Sequence, residues 1–316
     1  MTQIFLSRSR LIPSFLFKML KSIGFQAVDM HFHTEYSMDA VSSIRSVLNK
    51  CRKRGYGVAV TDHNEIRGAA RLWHMKKDVV VIPGMEASTI EGIHSLYYFY
   101  DIGLCKKFYN AVIQPLRKKD PFFLPITAGK LLEKAKRYNA VTCAPHPYSV
   151  GKTGMMKIKD SSLHHSFDMI EGLNGNQLRK WDQRAVTWAK STGKGISAGS
   201  DGHLTKELGN ALTLAYGNDV ESFLSSVQKG KNIVLGKEVN VAVNAIRQIV
   251  KEKNYFKHAR AHGKGWLWLS DHARELTLLE HKLSKNREPF RKHAHSIGLN
   301  KKDYEEYVKL RFGKVK

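Results

Sequence analysis

Histidines and carboxylates recur in short groups along the first two thirds of the chain. They are His31 and His33 with Asp39 close behind, Asp62 and His63, Glu86, His94, His146, and Asp201 with His203. Imidazole nitrogens mixed with carboxylate oxygens suit a divalent ion such as zinc, manganese or iron, and a site that keeps a position open for water is a catalytic one. An H-x-H placed where a strand ends can turn both imidazoles toward one ion. Taken singly, each of these residues means little, because a lone histidine is usually a satisfied core or surface group.

The elements around them give the residues a common location. Short apolar runs read as strands at 27–30, 57–61, 79–82, 95–100, 140–143, 167–173, 195–198 and 232–235. Helical patterns lie between them at 43–54, 66–76, 177–191 and 220–229, and 105–138 reads as polar and mostly helical, broken at Pro115, Pro121 and Pro125. Strand–helix alternation over this length indicates an α/β fold with a mainly parallel sheet, and the strand number favours a barrel. No G-x-G-x-x-G follows the first strand, so nothing points to a dinucleotide. His31 and His33, His63, His146, and Asp201 with His203 each follow a strand. Glu86 follows the third strand through Pro83 and Gly84, and His94 would return beside it through a hairpin. In parallel α/β folds the carboxyl ends of the strands share one face, so these groups converge. Burying so many polar groups would be costly without partners, and metal ions compensate them together.

The segments V-D-M-H-F-H-T-E-Y-S-M-D (28–39), T-D-H-N (61–64), P-G-M-E (83–86), H-S-L (94–96), A-P-H-P (144–147) and G-S-D-G-H (199–203) carry a resemblance. In type and order they resemble the motif set of the PHP (polymerase and histidinol phosphatase) superfamily over about residues 26–240. The resemblance implies a distorted seven-stranded (β/α) barrel holding two or three divalent metal ions. It implies three sub-sites: His31, His33, Glu86 and Asp201; Glu86 again, with His94 and His146; and Asp39, His63 and His203. Asp62 reads as a partner orienting one of the imidazoles. The reaction implied is hydrolysis of a phosphate ester by a metal-activated water, with Asp201, His203 and Glu86 acting as ligands. Neither a G-x-S-x-G nor a G-x-x-x-x-G-K-[ST] suggests another chemistry.

The charge balance bears on partners. Fifty-two Lys and Arg stand against 28 Asp and Glu, a formal +24, which favours anionic substrates or surfaces. Arg67, Lys152 and Arg179 are candidate phosphate-binding groups. A phosphorylated small molecule or nucleotide is the expected substrate, and an exonuclease acting on RNA or DNA ends is the alternative. From another class comes a non-catalytic nucleic-acid-binding protein, and an amidohydrolase-like barrel enzyme is a third reading. Residues 241–316 form a basic, mainly helical extension with interspersed aromatics such as Trp266, Trp268 and Tyr304, a composition able to meet nucleic acid. Residues 1–26 carry basic and apolar residues without an acid, as in a short amphipathic helix, for which a membrane surface is a further candidate partner. Cys51, Cys105 and Cys143 form no metal or disulfide pattern, which points to a reducing, cytoplasmic compartment.

Overall fold

The computed structural model describes residues 3–7, 14–149, 154–157 and 161–237. The chain divides after Val239 into two units. The 241–316 extension and Lys152 lie outside the described residues.

Strand β1 (Gln3–Ser7) and helix α1 (Ser14–Ser22) open the chain. The helix expected near the terminus is thus preceded by a strand, which finds its parallel partner more than 200 residues away, at 232–237. Helix α1 buries Phe17 edge-on against Tyr56. The barrel begins with β2 (Phe25–Phe32), α2 (Ile44–Arg54), β3 (Gly57–Val60) and α3 (Arg67–Met75). Local chemistry sets these boundaries. Ser43 caps α2 by accepting the Ser46 N–H, and Gly55 ends it in the left-handed region at φ 81°.

Strands β4 (Val81–Ser88) and β5 (His94–Tyr98) form an antiparallel hairpin with Glu86 opposite Leu96. The expected strand at 79–82 therefore runs on through Pro83 and Gly84, and Glu86 lies within it rather than after it. The Pro-Gly pair looks like a turn, yet Gly84 serves close strand contact: a Cβ there would lie 2.7 Å from the Tyr97 carbonyl oxygen.

Helix α4 (Ile102–Phe108), a π-helical turn over Tyr109–Ile113 and the short α5 (Gln114–Arg117) follow. Pro115 has no N–H to give the Ala111 carbonyl, which explains the local widening. Then come α6 (Ala128–Lys136), β6 (Val141–Ala144), α7 (Ser161–His164), β7 (Met169–Asn174), α8 (Arg179–Ser191) and β8 (Gly195–Gly199). Strand β9 (Ala211–Tyr216), helix α9 (Val220–Gln228) and β10 (Asn232–Lys237) complete the unit.

Among the described residues, ten strands form one sheet in the order β1-β10-β9-β2-β3-β4-β5-β6-β7-β8. The expected seven-stranded barrel is present within it as β2 to β8, distorted by the reversed β5 and nearly closed. Strands β9, β10 and β1 extend it beyond β2.

Closure occurs at the carboxyl ends. Asp201 N–H donates to the His31 carbonyl at 2.8 Å, and His33 N–H donates to the Gly202 carbonyl at 2.9 Å. The approach is tight enough that a Cβ on Gly199 would lie 2.5 Å from His31 N, and one on Gly202 would lie 2.7 Å from Phe32 Cε2. These contacts explain two of the glycines around Asp201. The buried Asp29 carboxylate pins the same junction, accepting from Ser200 N at 2.8 Å and Gly209 N at 2.8 Å. Gly199→Ala is expected to push β8 off β2 and cost about 1–3 kcal/mol, as overpacking does. Urea unfolding should show this together with a drop in bound metal. An unchanged midpoint would mean that the backbones have room to spare.

Candidate metal centre

The nine predicted ligands meet at the carboxyl end of this barrel. Asn64, His146 and Asp201 follow β3, β6 and β8 with φ of 50°, 30° and 47°. Left-handed backbone outside glycine is uncommon and gathers at functional sites. All nine side chains are buried except that of His94, which is partly exposed.

Glu86 is the hub. Its Oε1 lies 2.9 Å from His94 Nδ1 and 3.0 Å from His146 Nε2. Its Oε2 lies 3.2 Å from His31 Nε2, 3.3 Å from His33 Nε2 and 3.4 Å from His63 Nδ1. Asp39 Oδ2 receives His203 Nε2 at 2.9 Å and His63 Nε2 at 3.3 Å. Asp201 Oδ1 is 3.4 Å from His33 Nε2 and 3.8 Å from His31 Nε2. Three groups have donor atoms within 4.8 Å of one another: His33, Asp39, His63 and His203; His31, His33 and Glu86; and His63, Glu86 and His94. His33 and His63 thus each stand between two groups, where the resemblance gave each to one.

This donor set fits divalent ions. Metal–ligand bonds of 2.0–2.2 Å place neighbouring donors about 3.0–3.5 Å apart, the spacing seen around Glu86 and Asp39. His31 and His33 face each other through Nε2 at 3.2 Å, an arrangement two lone pairs avoid unless a cation or proton lies between them. The electrostatics agree. Burial would strip the proton from His33, but hydrogen bonds with Asp201 and Glu86 push its pKa up to about 9. Burial likewise opposes His31, which Glu171, Glu86 and Asp201 nonetheless hold well above its ordinary value. Burial would raise Glu86, yet the surrounding imidazoles hold it well below the usual carboxylate range. Burial drives His94 itself down to about 4.

The residues supporting this cluster include several that the sequence reading passed over. His31 Nδ1 lies 2.9 Å from Glu171 Oε1, which fixes the tautomer so that Nε2 points inward. Glu171 Oε2 also receives the His146 N–H at 2.8 Å and Asn174 Nδ2 at 2.8 Å. Glu171 was legible as a lone carboxylate inside an apolar strand, but it precedes the strand end and belongs to no quoted motif. Its replacement, Glu171→Gln, is expected to weaken metal binding about 10–100-fold, measured by competition with a chelator. Affinity within twofold of the parent would remove Glu171 from this role.

Asp62 corrects an expectation. Its carboxylate takes Thr34 N–H at 2.6 Å and Thr34 Oγ1 at 2.7 Å, and makes no hydrogen bond to an imidazole. It anchors the backbone just after His33 instead. Burial pushes its pKa up to about 6, against the lowering effect of the two Thr34 bonds.

Of the candidate phosphate groups, Arg67 begins α3 at the rim, 2.8 Å from buried Glu65 and with its guanidinium 5.2 Å from the Tyr36 ring centre. Arg117 reaches the same Glu65 oxygen at 3.2 Å. Arg179 is exposed at the start of α8. No helix among the described residues is long and apolar enough to cross a membrane.

A nearly closed barrel carrying this histidine–carboxylate cluster defines a class. The chain belongs to the PHP domain family, whose model matches residues 29–312. It is 33% identical over 134 residues to the uncharacterized protein MJ1587 of Methanocaldococcus jannaschii, covering 38% of this chain and 67% of that protein. Its fold is similar to that of a two-domain Bacteroides vulgatus protein containing a predicted PHP-like metal-dependent phosphoesterase, at TM-score 0.52 and 14% identity, covering 67% of this chain and 65% of that one. It is also similar to the lesion-specific endonuclease PfuEndoQ of Pyrococcus furiosus, at TM-score 0.52 and 13% identity, covering 66% of this chain and 57% of that one. The chain thus spans about two thirds or less of these proteins.

Proposed function

We propose that this chain is a metal-dependent phosphoric ester hydrolase acting on a phosphomonoester or nucleotide. The observation that carries the reading is the convergence of six imidazoles and three carboxylates on one buried cluster at the barrel mouth. When bound, two or three divalent ions (manganese, zinc or iron) supply Lewis-acid polarisation of phosphate oxygens and lower the pKa of water.

The protein's own groups do the positioning. Glu86 presents one oxygen to His94 and His146 and the other to His31, His33 and His63, and so ties the sub-sites together. Asp39 is held from behind by Ser37 Oγ at 2.7 Å, leaving its other oxygen for His63 and His203. His203 Nδ1 lies 2.9 Å from the Asp201 carbonyl, which turns Nε2 toward Asp39. Arg67 at the rim, with Lys152 and Arg179 as the other candidates, would orient the phosphate.

Metal analysis followed by assays with p-nitrophenyl phosphate, mononucleotides and end-labelled RNA and DNA tests the reading, beside Asp201→Ala. Two or more ions per chain and turnover lost in the variant are expected. Less than one ion per chain, with no turnover that the variant lacks, would sink it.

A further inference from the structure

Aromatic rings paired with cations gather at the same mouth. Among the described residues, four of the five cation–ring contacts lie there: Arg67 over Tyr36, Lys180 over Trp181, and Arg184 over both Tyr148 and Trp181. The fifth, Lys76 over Trp73, lies at the far end of α3. The four fall into two platforms. One stands on the loops after β2 and β3. Tyr36 lies between His33 and Asp39, and Arg71 Nε reaches its hydroxyl at 3.5 Å. Arg67 and Arg117 share one oxygen of buried Glu65 beside it. The other platform stands on the loop after β6 and the first turns of α8. Tyr148 comes two residues after His146, and Arg184 lies 4.4 Å from its ring centre.

Strands β2 and β3 sit across the seven-stranded barrel from β6 and β7, so the platforms flank the metal cluster on different sides. A small phosphate ester would need one of them at most. We infer that the mouth is a track for single-stranded nucleic acid, which lays one base on the Tyr36–Arg67 platform and another on the Tyr148–Arg184–Trp181 platform, with a phosphate over the cluster between them.

The chemistry matches at both ends. Every base has a π-face, and stacking on aromatic rings beside arginines holds single strands without regard to sequence. A duplex keeps its bases stacked on one another and cannot offer their faces. The turn between β7 and α8, together with the first turn of α8, adds an independent sign of a ligand. Asn176 Oδ1, Gln177 Nε2 and Trp181 Nε1 are buried without hydrogen-bond partners, and the Asn176 side chain is almost wholly buried. Such orphaned groups are costly, and the polar edge of a base offers both donors and acceptors to meet them.

The inference takes from the proposed hydrolase the metal-assisted cleavage of a phosphate ester, extends its substrate from a monoester or nucleotide to a phosphodiester of the strand, and does not depend on it for the binding. Its test uses the full chain with 5-iodouracil-substituted dT12 and U12 strands, ultraviolet crosslinking and peptide mapping. Crosslinks are expected at Tyr36 and at Tyr148 or Trp181. Affinity for fluorescein-labelled dT12 should fall about tenfold in Tyr36→Ala and again in Trp181→Ala, with bound metal unchanged in both. Tyr36→Phe should keep most of the affinity, because it retains the ring. Crosslinks confined to residues 240–316, or affinities that neither alanine variant moves, would overturn the track. Hydrolysis of p-nitrophenyl phosphate by the unaltered chain reports separately on the hydrolase. If it persists while the crosslinks are missing, only the track is lost; if it is missing while the crosslinks form, only the hydrolase is.

Discussion

Glu86→Gln is expected to remove at least one metal ion per chain and to lower phosphoester hydrolysis about a thousandfold or more, while the fold is kept. Glutamine preserves size and shape but loses the negative charge and replaces one oxygen with a donor. Either orientation of the amide then sets N–H groups against imidazoles that now face a carboxylate, either His94 and His146 or His31, His33 and His63. Metal ions that position and activate water are worth several kcal/mol at the transition state, which is about three decades in rate. Glu133→Gln is the control, since Glu133 pairs with Arg137 on the exposed face of α6. Metal content by mass spectrometry and turnover under saturating substrate are the measurements. Parent-like metal content and rate in Glu86→Gln would break the link between this carboxylate and the chemistry.

The ends of the barrel strands were legible in the sequence because polar residues there break apolar runs abruptly. His33, His63, His146 and Asp201 all stand just past the end of a hydrophobic strand, and one physical rule places every such stop on the same face. The hairpin that returns His94 to Glu86 was an expectation that the sequence alone could not place; the structure turns the chain at Gly92, with φ of 80°. Strand β9 was missed because its mostly apolar run, Ala211 to Tyr216, carries no chemistry, and its role appears only in antiparallel pairing with β2 and β10. Strand β1 was missed for a related reason: it gains its hydrogen bonds from β10, and no local pattern announces a partner so distant.

Partners within the site were harder to read than ligands. A sequence shows that Asp62 precedes His63, and adjacency suggests an imidazole contact. Successive strand residues point to opposite sides, however, and Asp62 reaches Thr34 across the strand pair instead. Glu171 acts on His31 from 140 positions away. Only the closed sheet brings the two together, so spacing along the chain carries no trace of the contact.

The metal-saturated and metal-free proteins are expected to diverge in stability as pH rises from about 6.5 to about 9. In the metal-free chain His33 keeps its proton to about 9, whereas an unfolded histidine loses it near 6.5. Between those values the folded chain binds more protons than the unfolded one, so its stability falls with pH, by up to about 1.4 kcal/mol per unit for one group. That contribution is complete below about 6.5 and gone above about 9. His31, also held well above its ordinary value, adds a change of the same sign. On the acid side Glu86 and Asp39, both held below the usual carboxylate range, contribute stability above about pH 4 that is lost as pH falls further. Divalent ions take the lone pairs those protons occupy, so binding releases protons and tightens as pH rises. The gap in melting temperature between manganese-saturated and chelator-treated protein should therefore widen steadily across this window. A gap that stays constant or narrows would show that His31 and His33 do not exchange protons for metal.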